Sequence, residues 1–199
     1  MIRTFKQPML IAAFITSMLF SVSCKDTRQQ SEDTKEVSEE QNEAKFNDND
    51  NANDAQFLVD ASEMNLEAIH LGQLAQQRGH STDVKELGSS MVESHTVSQR
   101  NLTELAKTKM VSIPTSTTND SRDAHTKLNR NSGQDFDKAY VDLMVEKHKE
   151  AIELYEKASR DSNDSEIQNW ATTSLRDLRK HLDHGLETQR KTESKTERN

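Results

Sequence analysis

Residues 135–155 read DFDKAYVDLMVEKHKEAIELY, and their apolar positions recur mainly at spacings of three and four. At about 100° per residue, this spacing places Phe136, Tyr140 and Met144 on one face of an α-helix. His148 falls on the same face. A histidine that faces the interior of a protein needs a hydrogen-bond partner or a metal ion. The stretch therefore predicts a helical fold and, within it, a candidate site.

The same periodicity recurs across the rest of the domain, where Pro114 is the only proline. Capping residues and glycines predict four long helices and one short helix. Their expected limits are Asp54 to Gly79, Ser81 or Thr82 to Lys109, Asp120 to Asn131 (the short helix), Asp135 to Arg160, and Asp164 or Ser165 to Glu187. Such an order predicts an all-α, ferritin-like four-helix bundle whose long crossover contains the short helix. A plain up-down bundle is the alternative. Gly72 and Gly88, inside predicted helices, indicate a close contact between helices.

One five-residue phrase occurs twice, as Met91-Val92-Glu93-Ser94-His95 and as Met144-Val145-Glu146-Lys147-His148. In a helix, each His lies close to the Met four positions before it, whereas the Glu two positions before it points to the opposite face. Each copy therefore turns a thioether and an imidazole toward the interior. Both groups can bind metals.

Each of the four long helices turns one ionisable ligand toward the interior, near the middle of the helix. Midpoints of helices of similar length stay level in a bundle, so these side chains are expected to converge. They are His95, His148, His181 and Glu67, the last at the edge of the apolar face of its helix. Met91 and Met144 are further possible ligands. We predict one zinc or copper ion at this cluster. Two alternatives stay open: hydrogen-bonded core residues, and histidines that respond to protons without a metal.

Other chemistries find little support in the sequence. A di-iron centre of the ferritin type needs Glu-x-x-His on two helices, but this chain has Glu-x-His, so Glu93 and Glu146 point away from the histidines. Glycine-rich phosphate loops, nucleophile elbows and His-Glu-x-x-His motifs do not occur in the sequence. We predict no catalytic residue, and a non-enzymatic role is favoured.

The first 23 residues have the features of a signal peptide. Arg3 and Lys6 precede an apolar run over residues 9–22, and Cys24, the only cysteine, follows the small residues 21–23. This arrangement resembles the lipobox of bacterial lipoproteins, with Ser21 where leucine is usual. Cys24 is accordingly the predicted lipidation site. We expect a lipid-anchored protein of the cell envelope, on the outer membrane, facing either the periplasm or the cell surface.

Two segments lack the apolar periodicity of the domain. Residues 25–54 hold 10 acidic and 4 basic side chains, which predicts a disordered tether over residues 24–53. Residues 188–199 are predicted to form a disordered tail. Residues 55–199 hold 20 basic and 24 acidic side chains, and this balance offers no basic surface for nucleic acid. The expected membrane contact is the lipid anchor, and a protein partner cannot be named from the sequence.

A family resemblance rests on phrases dispersed through the domain. They are Phe57-Leu58 with Ala61, Leu71-Gly72-Gln73-Leu74-Ala75, Val84-Lys85, Met91 with His95, Gly133-x-Asp135-Phe136-Asp137-x-Ala139-Tyr140, Met144 with His148, Ala151-Ile152, and Leu178 with His181-Leu182. Together they resemble the DUF4142 family. The resemblance implies a ferritin-like bundle in exported bacterial proteins, without an established activity. The 136–152 helix is also similar to one in DUF305 proteins, which are associated with copper and carry paired histidines where this chain has Lys147 and His148.

Two functions are consistent with these features. The first is an envelope lipoprotein whose helical bundle binds or senses zinc or copper at its histidines. The second is a non-catalytic structural or interaction module of the cell envelope. Both require the domain to be held at a membrane, so the anchor does not distinguish them.

The lipid anchor can be tested directly. Because Cys24 is the predicted acylation site, the mature chain should begin at Cys24 and fractionate with membranes, and Cys24→Ser should release it to the soluble fraction. The intact mass of the mature protein checks this. An unmodified N-terminus at another residue would show that the assignment is wrong.

Overall fold

A computed structural model describes the backbone of residues 33–196 and the side chains up to residue 194. Within this part of the chain, all regular secondary structure is helical. The six helices are α1 (Thr34–Glu43), α2 (Asn49–Arg78), α3 (Thr82–Thr108), α4 (Asn119–Leu128), α5 (Gly133–Asp161) and α6 (Ser165–Thr196). None of the described helices is long and apolar enough to span a membrane. The predicted all-α class is therefore confirmed.

The predicted helices are present, and most of their ends fall within a few residues of the expected positions. Ser81 caps α3, since its hydroxyl accepts a hydrogen bond from the Val84 amide at 3.3 Å. Asp164 caps α6 in the same way. The predicted cap at Asp54 is wrong: α2 begins five residues earlier, Asp48 caps it, and Asp54 lies buried inside the helix.

Helix α1 occupies part of the predicted tether. Residues 34–43 are helical and residues 49–53 belong to α2, so the prediction of disorder is wrong for them. The rest of the tether, up to residue 32, lies outside the described residues, as do the signal peptide and Cys24. The helix is polar, which is why apolar periodicity did not reveal it.

Specific polar contacts hold α1 in place. The Asn42 amide donates to the carbonyl oxygen of Ser112 at 2.8 Å, and its own oxygen accepts from the Ser112 amide at 2.8 Å. At the other end of α1, Lys35 pairs with Glu63 at 2.6 Å and with Asp60 at 3.1 Å. These contacts attach α1 to the segment after α3 and to α2.

The predicted tail is also largely helical. Helix α6 continues to Thr196 rather than ending near Glu187, and only residues 197–199 lie outside the description. Lys191 pairs with Asp83 at 3.1 Å, and Gln189 donates to Asp142 at 2.7 Å. The extension therefore continues because it contacts α3 and α5, although it carries few apolar residues.

Helices α2 and α3 approach closely at two glycines. A Cβ atom on Gly72 would lie 2.8 Å from the carbonyl oxygen of Gly88, and one on Gly88 would lie 2.8 Å from that of Gly72. The predicted close contact is confirmed. Because the two helices run antiparallel, residues seven positions from this contact also face each other. Asn65, seven before Gly72, accordingly lies beside His95, seven after Gly88.

Helix α3 ends in a left-handed turn at Met110, whose φ is 57°. The amide of Val111 donates to the carbonyl of Ala106 at 2.9 Å, and the Met110 amide donates to that of Lys107 at 3.1 Å. This pair of bonds is a Schellman motif, in which glycine is the usual left-handed residue. The Met110 side chain is 74% exposed.

The chain between α3 and α5 runs along the length of α2. The Ser62 hydroxyl donates to the carbonyl of Pro114 at 2.9 Å. Two turns further along α2, His70 lies 3.3 Å from the Ser121 hydroxyl of α4. Near the end of α2, the Arg78 guanidinium donates to Asn129 at 2.7 Å. This connection therefore carries the chain from one end of the domain to the other.

Two apolar clusters fill the ends of the domain. One is built around Phe57, Leu102, Tyr155 and Ile167, and the other around Leu71, Leu87, Phe136 and Tyr140. All four long helices contribute to both, if partly buried side chains are included. Between them lies a layer of buried polar groups, described below.

Asp137 joins the two helix pairs at one end. Its carboxylate accepts hydrogen bonds from the backbone amides of His80 and Ser81, at 2.7 and 2.8 Å. These amides lie in the turn between α2 and α3, whereas Asp137 belongs to α5. Because Asp137 is only 2% exposed, these bonds replace the water that the carboxylate would otherwise bind.

The attachment of α1 gives a stability prediction. Asn42→Ala removes two hydrogen bonds and leaves the partly buried backbone groups of Ser112 without these partners, so the free energy of unfolding should fall by about 1–3 kcal/mol. Chemical denaturation would measure this loss. Asn169→Ala, at an exposed position of α6, is the control and should change stability little. An equal, small effect of both substitutions would mean that α1 is not tied to the domain.

Candidate metal centre

The three predicted histidines meet at the middle of the domain. His95 comes from α3, His148 from α5 and His181 from α6, and one potential ligand atom from each lies within 4.8 Å of the others. Their ring centroids are separated by 5.5 Å (His95 and His148), 5.2 Å (His95 and His181) and 5.4 Å (His148 and His181). The predicted convergence is therefore present.

All three imidazoles are buried. His95 is 5% exposed, His148 3% and His181 8%. They lie between the two apolar clusters, which restrict the access of water to the ring nitrogens. Each ring nitrogen in this layer consequently needs a partner within the protein, a water molecule or an ion.

A hydrogen bond to a backbone carbonyl fixes which nitrogen of His148 carries the proton, and the orientation of the Asn65 amide sets the protonated nitrogen of His95. Nδ1 of His148 lies 2.8 Å from the carbonyl oxygen of Met144, which can only accept, so Nδ1 is the donor. Nδ1 of His95 lies 2.8 Å from Oδ1 of Asn65, which is also an acceptor in this orientation of the amide. In neutral imidazoles, the Nε2 atoms of both residues then present lone pairs.

These two lone pairs face each other. The Nε2 atoms of His95 and His148 are 3.4 Å apart, and neither has a proton to share. Two nitrogens bound to one tetrahedral zinc ion at about 2.0–2.1 Å are separated by about 3.4 Å. The observed spacing is therefore that of adjacent ligands on one ion.

Two further polar atoms of this layer lack a partner. Nδ1 of His181 and Nδ2 of Asn65 are buried, and neither makes a hydrogen bond within the described structure. Buried polar atoms without partners are uncommon in folded proteins and point to a missing water or ion. The third imidazole thus also has an unused nitrogen.

Burial keeps the cluster neutral. It lowers the pKa of His181 from its usual value to about 4, with a smaller contribution from His148. Burial also lowers the pKa of His148, against the effect of its bond to Met144. The pKa of His95 lies well below its usual value because of burial and the two neighbouring imidazoles. Neutral imidazoles are the form that binds metals.

Glu67, the predicted fourth member, does not join the three histidines. Its carboxylate is buried and lies 3.6 Å from the Lys147 ammonium. Burial raises the pKa of Glu67, and the nearby Lys147 opposes this shift. Glu67 nevertheless lines a small cavity of about 20 Å³ that also reaches His95 and His148.

The two methionines occupy different positions relative to the cluster. Met91 is fully buried and packs within the apolar cluster around Phe136. Met144 belongs to the same apolar cluster but also lines the small cavity beside His95 and His148. Its backbone carbonyl, rather than its sulfur, makes the described bond to His148.

A larger cavity of about 340 Å³ opens on the other side of the cluster, between α3 and α6. His95 and His181 line it, whereas His148 does not. The three imidazoles therefore lie between a small cavity on the α2 and α5 side and a larger one on the α3 and α6 side.

Comparison with family models gives one match, over residues 36–187, to a domain of unknown function, DUF4142. The chain belongs to this family. Searches of curated proteins and of solved structures gave no match. The DUF4142 match begins within α1, which agrees with the finding that α1 is part of the domain.

Sequence reasoning missed Asn65. It lies on the apolar stripe of α2 between Ala61 and Ala68, and it is 2% exposed. An asparagine in such a position is unusual and needs a partner, so this signal was available in the sequence. The predicted site omits Asn65 because it contains only side chains that can bind a metal.

The lowered pKa values predict how stability depends on pH. The unfolded chain takes up protons near pH 6.5, whereas the buried histidines of the folded chain do so only at lower pH, about 4 for His181. Metal-free protein should therefore keep its full stability above pH 6.5 and lose it as the pH falls toward 4. The expected slope is about 1.4 kcal/mol per pH unit for each of these histidines.

Denaturation at a series of pH values in the presence of a chelator measures this slope. His181→Gln should reduce it, and His80→Gln, at an exposed position in the turn between α2 and α3, is the control. If His181→Gln left the slope of the unfolding free energy against pH unchanged, the pKa of His181 would be the same in the folded and unfolded chains.

Proposed function

We propose that this DUF4142 domain binds one zinc or copper ion through His95, His148 and His181. The observation that carries the proposal is the pair of facing lone pairs on His95 and His148, 3.4 Å apart. Without a cation between them, these nitrogens repel each other inside a medium of low dielectric. An ion converts the repulsion into two bonds and gives the third imidazole a partner.

The donor set favours zinc or copper over iron. Imidazole nitrogens suit both metals, and three of them leave one position open on a tetrahedral ion. A di-iron centre needs inward carboxylates from several helices. Glu93 and Glu146 are exposed, and the carboxylate of Glu67 pairs with Lys147. This arrangement supports binding or sensing of a metal rather than ferroxidase chemistry.

We further propose that the domain is a ferritin-like four-helix bundle formed by α2, α3, α5 and α6. Helix α3 ends near one apolar cluster, and α5 begins in the other, with α4 on the connection between them. A connection that crosses the length of the domain is the ferritin-like feature, whereas a plain up-down bundle has only short links.

Attachment to the cell envelope through Cys24 is part of the same proposal. It rests on the apolar run and the small residues before the only cysteine of the chain. A lipid-anchored domain would hold its metal site close to a membrane. If no metal binds, a non-catalytic interaction module at the same location becomes the better explanation.

Metal titration tests the proposal. Calorimetry with zinc and with copper should show one ion per chain, and the His95→Ala, His148→Ala double variant should lose this binding. The double variant His70→Ala, His125→Ala is the matched control, since it removes another pair of histidines with adjacent rings, 4.4 Å apart. All proteins should carry Cys24→Ser so that a thiol does not compete for the metal.

The position of Asn65 gives a second readout in the same experiment. Asn65→Ala should weaken metal binding by about 10–100-fold, because the bond from Nδ1 orients the His95 ring, and Asn65→Asp should restore it. Bound metal should also raise the unfolding midpoint with the logarithm of its concentration. Equal, negligible heats for the wild-type chain and both double variants would mean that the histidines are packed core residues.

A further inference from the structure

The cavity between α3 and α6 is the only one of the two cavities at the cluster that has room for more than a water molecule. Its volume is about 340 Å³, against about 20 Å³ for the cavity on the opposite side. A water molecule needs a little over 10 Å³ by this measure, so the smaller space suits one water. The larger cavity can hold a small organic molecule beside His95 and His181.

The fourth position of a bound ion has no obvious ligand within the domain. Among the described residues, the group of potential ligands contains three histidines and no carboxylate. Glu67 lines the small cavity and a pocket beside α4, where it pairs with Lys147, and it does not line the cavity between α3 and α6. A ligand from outside the chain would therefore complete the coordination from the α3 and α6 side.

The wall of the larger cavity carries several polar groups but no residue suited to holding an anion. Hydroxyl and amide groups come from Ser94, Ser98, Asn101, Thr173 and Ser174. The described residues that line it include two carboxylates, Glu93 and Asp177, and neither lysine nor arginine. Anion sites in proteins usually provide arginine, lysine or converging backbone amides.

The carboxylate of Asp177 is already paired at the surface. It lies 3.3 Å from the Lys180 ammonium and 3.6 Å from the Arg176 guanidinium, and neither of these two cations lines the cavity. Asp177 therefore gives a ligand cation little attraction, and the charge of Glu93, the other carboxylate, is screened by water because its side chain is exposed. The hydroxyl and amide groups of the wall offer hydrogen bonds. An uncharged polar molecule fits this environment best.

Aromatic rings complete the wall. Trp170 and Tyr155 both line the cavity, with ring centroids 5.3 Å apart and an angle of 39° between the ring planes. Flat aromatic ligands pack well against such rings, and their nitrogen atoms bind zinc or copper. The cavity thus combines an aromatic wall, hydrogen-bonding groups and access to the metal position.

We infer that the bound metal keeps one coordination position open toward this cavity, and that the position takes a small uncharged aromatic nitrogen base of the imidazole type rather than an anion. The inference rests on the proposed metal site. It identifies the class of ligand that the site would take, either a free heterocycle or a histidine side chain that enters from outside.

Copper spectroscopy separates this inference from the metal site itself. The full chain with Cys24→Ser is loaded with one equivalent of copper(II), and its visible absorption band is recorded before any ligand is added. Imidazole and azide, the latter a small anionic nitrogen donor, are then titrated separately. Imidazole should shift the band saturably and bind at least about tenfold more tightly than azide.

Two substitutions locate the ligand. Ser174→Trp should fill the cavity and weaken imidazole binding by at least about tenfold, while copper loading stays unchanged. Ser159→Trp is the matched control, because Ser159 is partly buried on α5 and does not line the cavity. If Ser174→Trp fails to unfold cooperatively on heating, Trp170→Ala replaces it and should weaken imidazole binding but not azide binding.

Each outcome decides a separate point. Absence of copper binding overturns both the metal site and the open position. Copper binding without a response to imidazole, or with azide binding as tightly, overturns only the inference about the ligand. Unchanged imidazole binding in the folded cavity variant places the ligand elsewhere and also overturns it.

Discussion

The arrangement of α2 and α3 depends on the contact between Gly72 and Gly88, where each carbonyl oxygen occupies the space that the other residue's side chain would need. This contact fixes both the distance between α2 and α3 and their register. A shift of one residue would rotate the facing positions by about 100° and would move Asn65 away from His95. The hydrogen bond that orients the His95 ring therefore depends on two residues without side chains, two helical turns away.

The second helix pair, α5 and α6, is aligned by polar side chains in addition to one glycine, since a Cβ atom on Gly185 would lie 3.2 Å from Cγ2 of Val145. Arg179 donates to Glu156 at 2.9 Å, and Gln189 donates to Asp142 at 2.7 Å, so contacts lie on both sides of the level of His148 and His181. Both helix pairs, α2 with α3 and α5 with α6, are thus held in register. For this reason one layer contains Asn65, His95, His148 and His181. Apolar clusters above and below restrict water to the cavities at the sides of this layer, so a nitrogen that faces neither cavity and has no partner is costly.

Helical periodicity was sufficient to place His95, His148 and His181 on inward faces, since all three lie on or beside apolar stripes. Each of the three histidines lies near the middle of its helix, and this position predicted that they lie at the same height in the bundle. The sequence could not reveal α1 or the last turns of α6, because these are held by contacts such as that of Asn42 with Ser112, between residues far apart in the chain. Glu67 was misjudged because its partner, Lys147, lies on another helix.

The sulfur atoms of the chain differ in their access to solvent, and this difference matters for oxidation. Met110 projects from its left-handed turn with 74% of its surface exposed, whereas Met91 is fully buried and Met144 is 2% exposed. Oxidants convert exposed thioethers to sulfoxides first. At Met110 the added polarity would meet only water, so the fold could tolerate it. The same change at Met144 would place a polar group beside His95 and His148 and would disturb the centre of the domain.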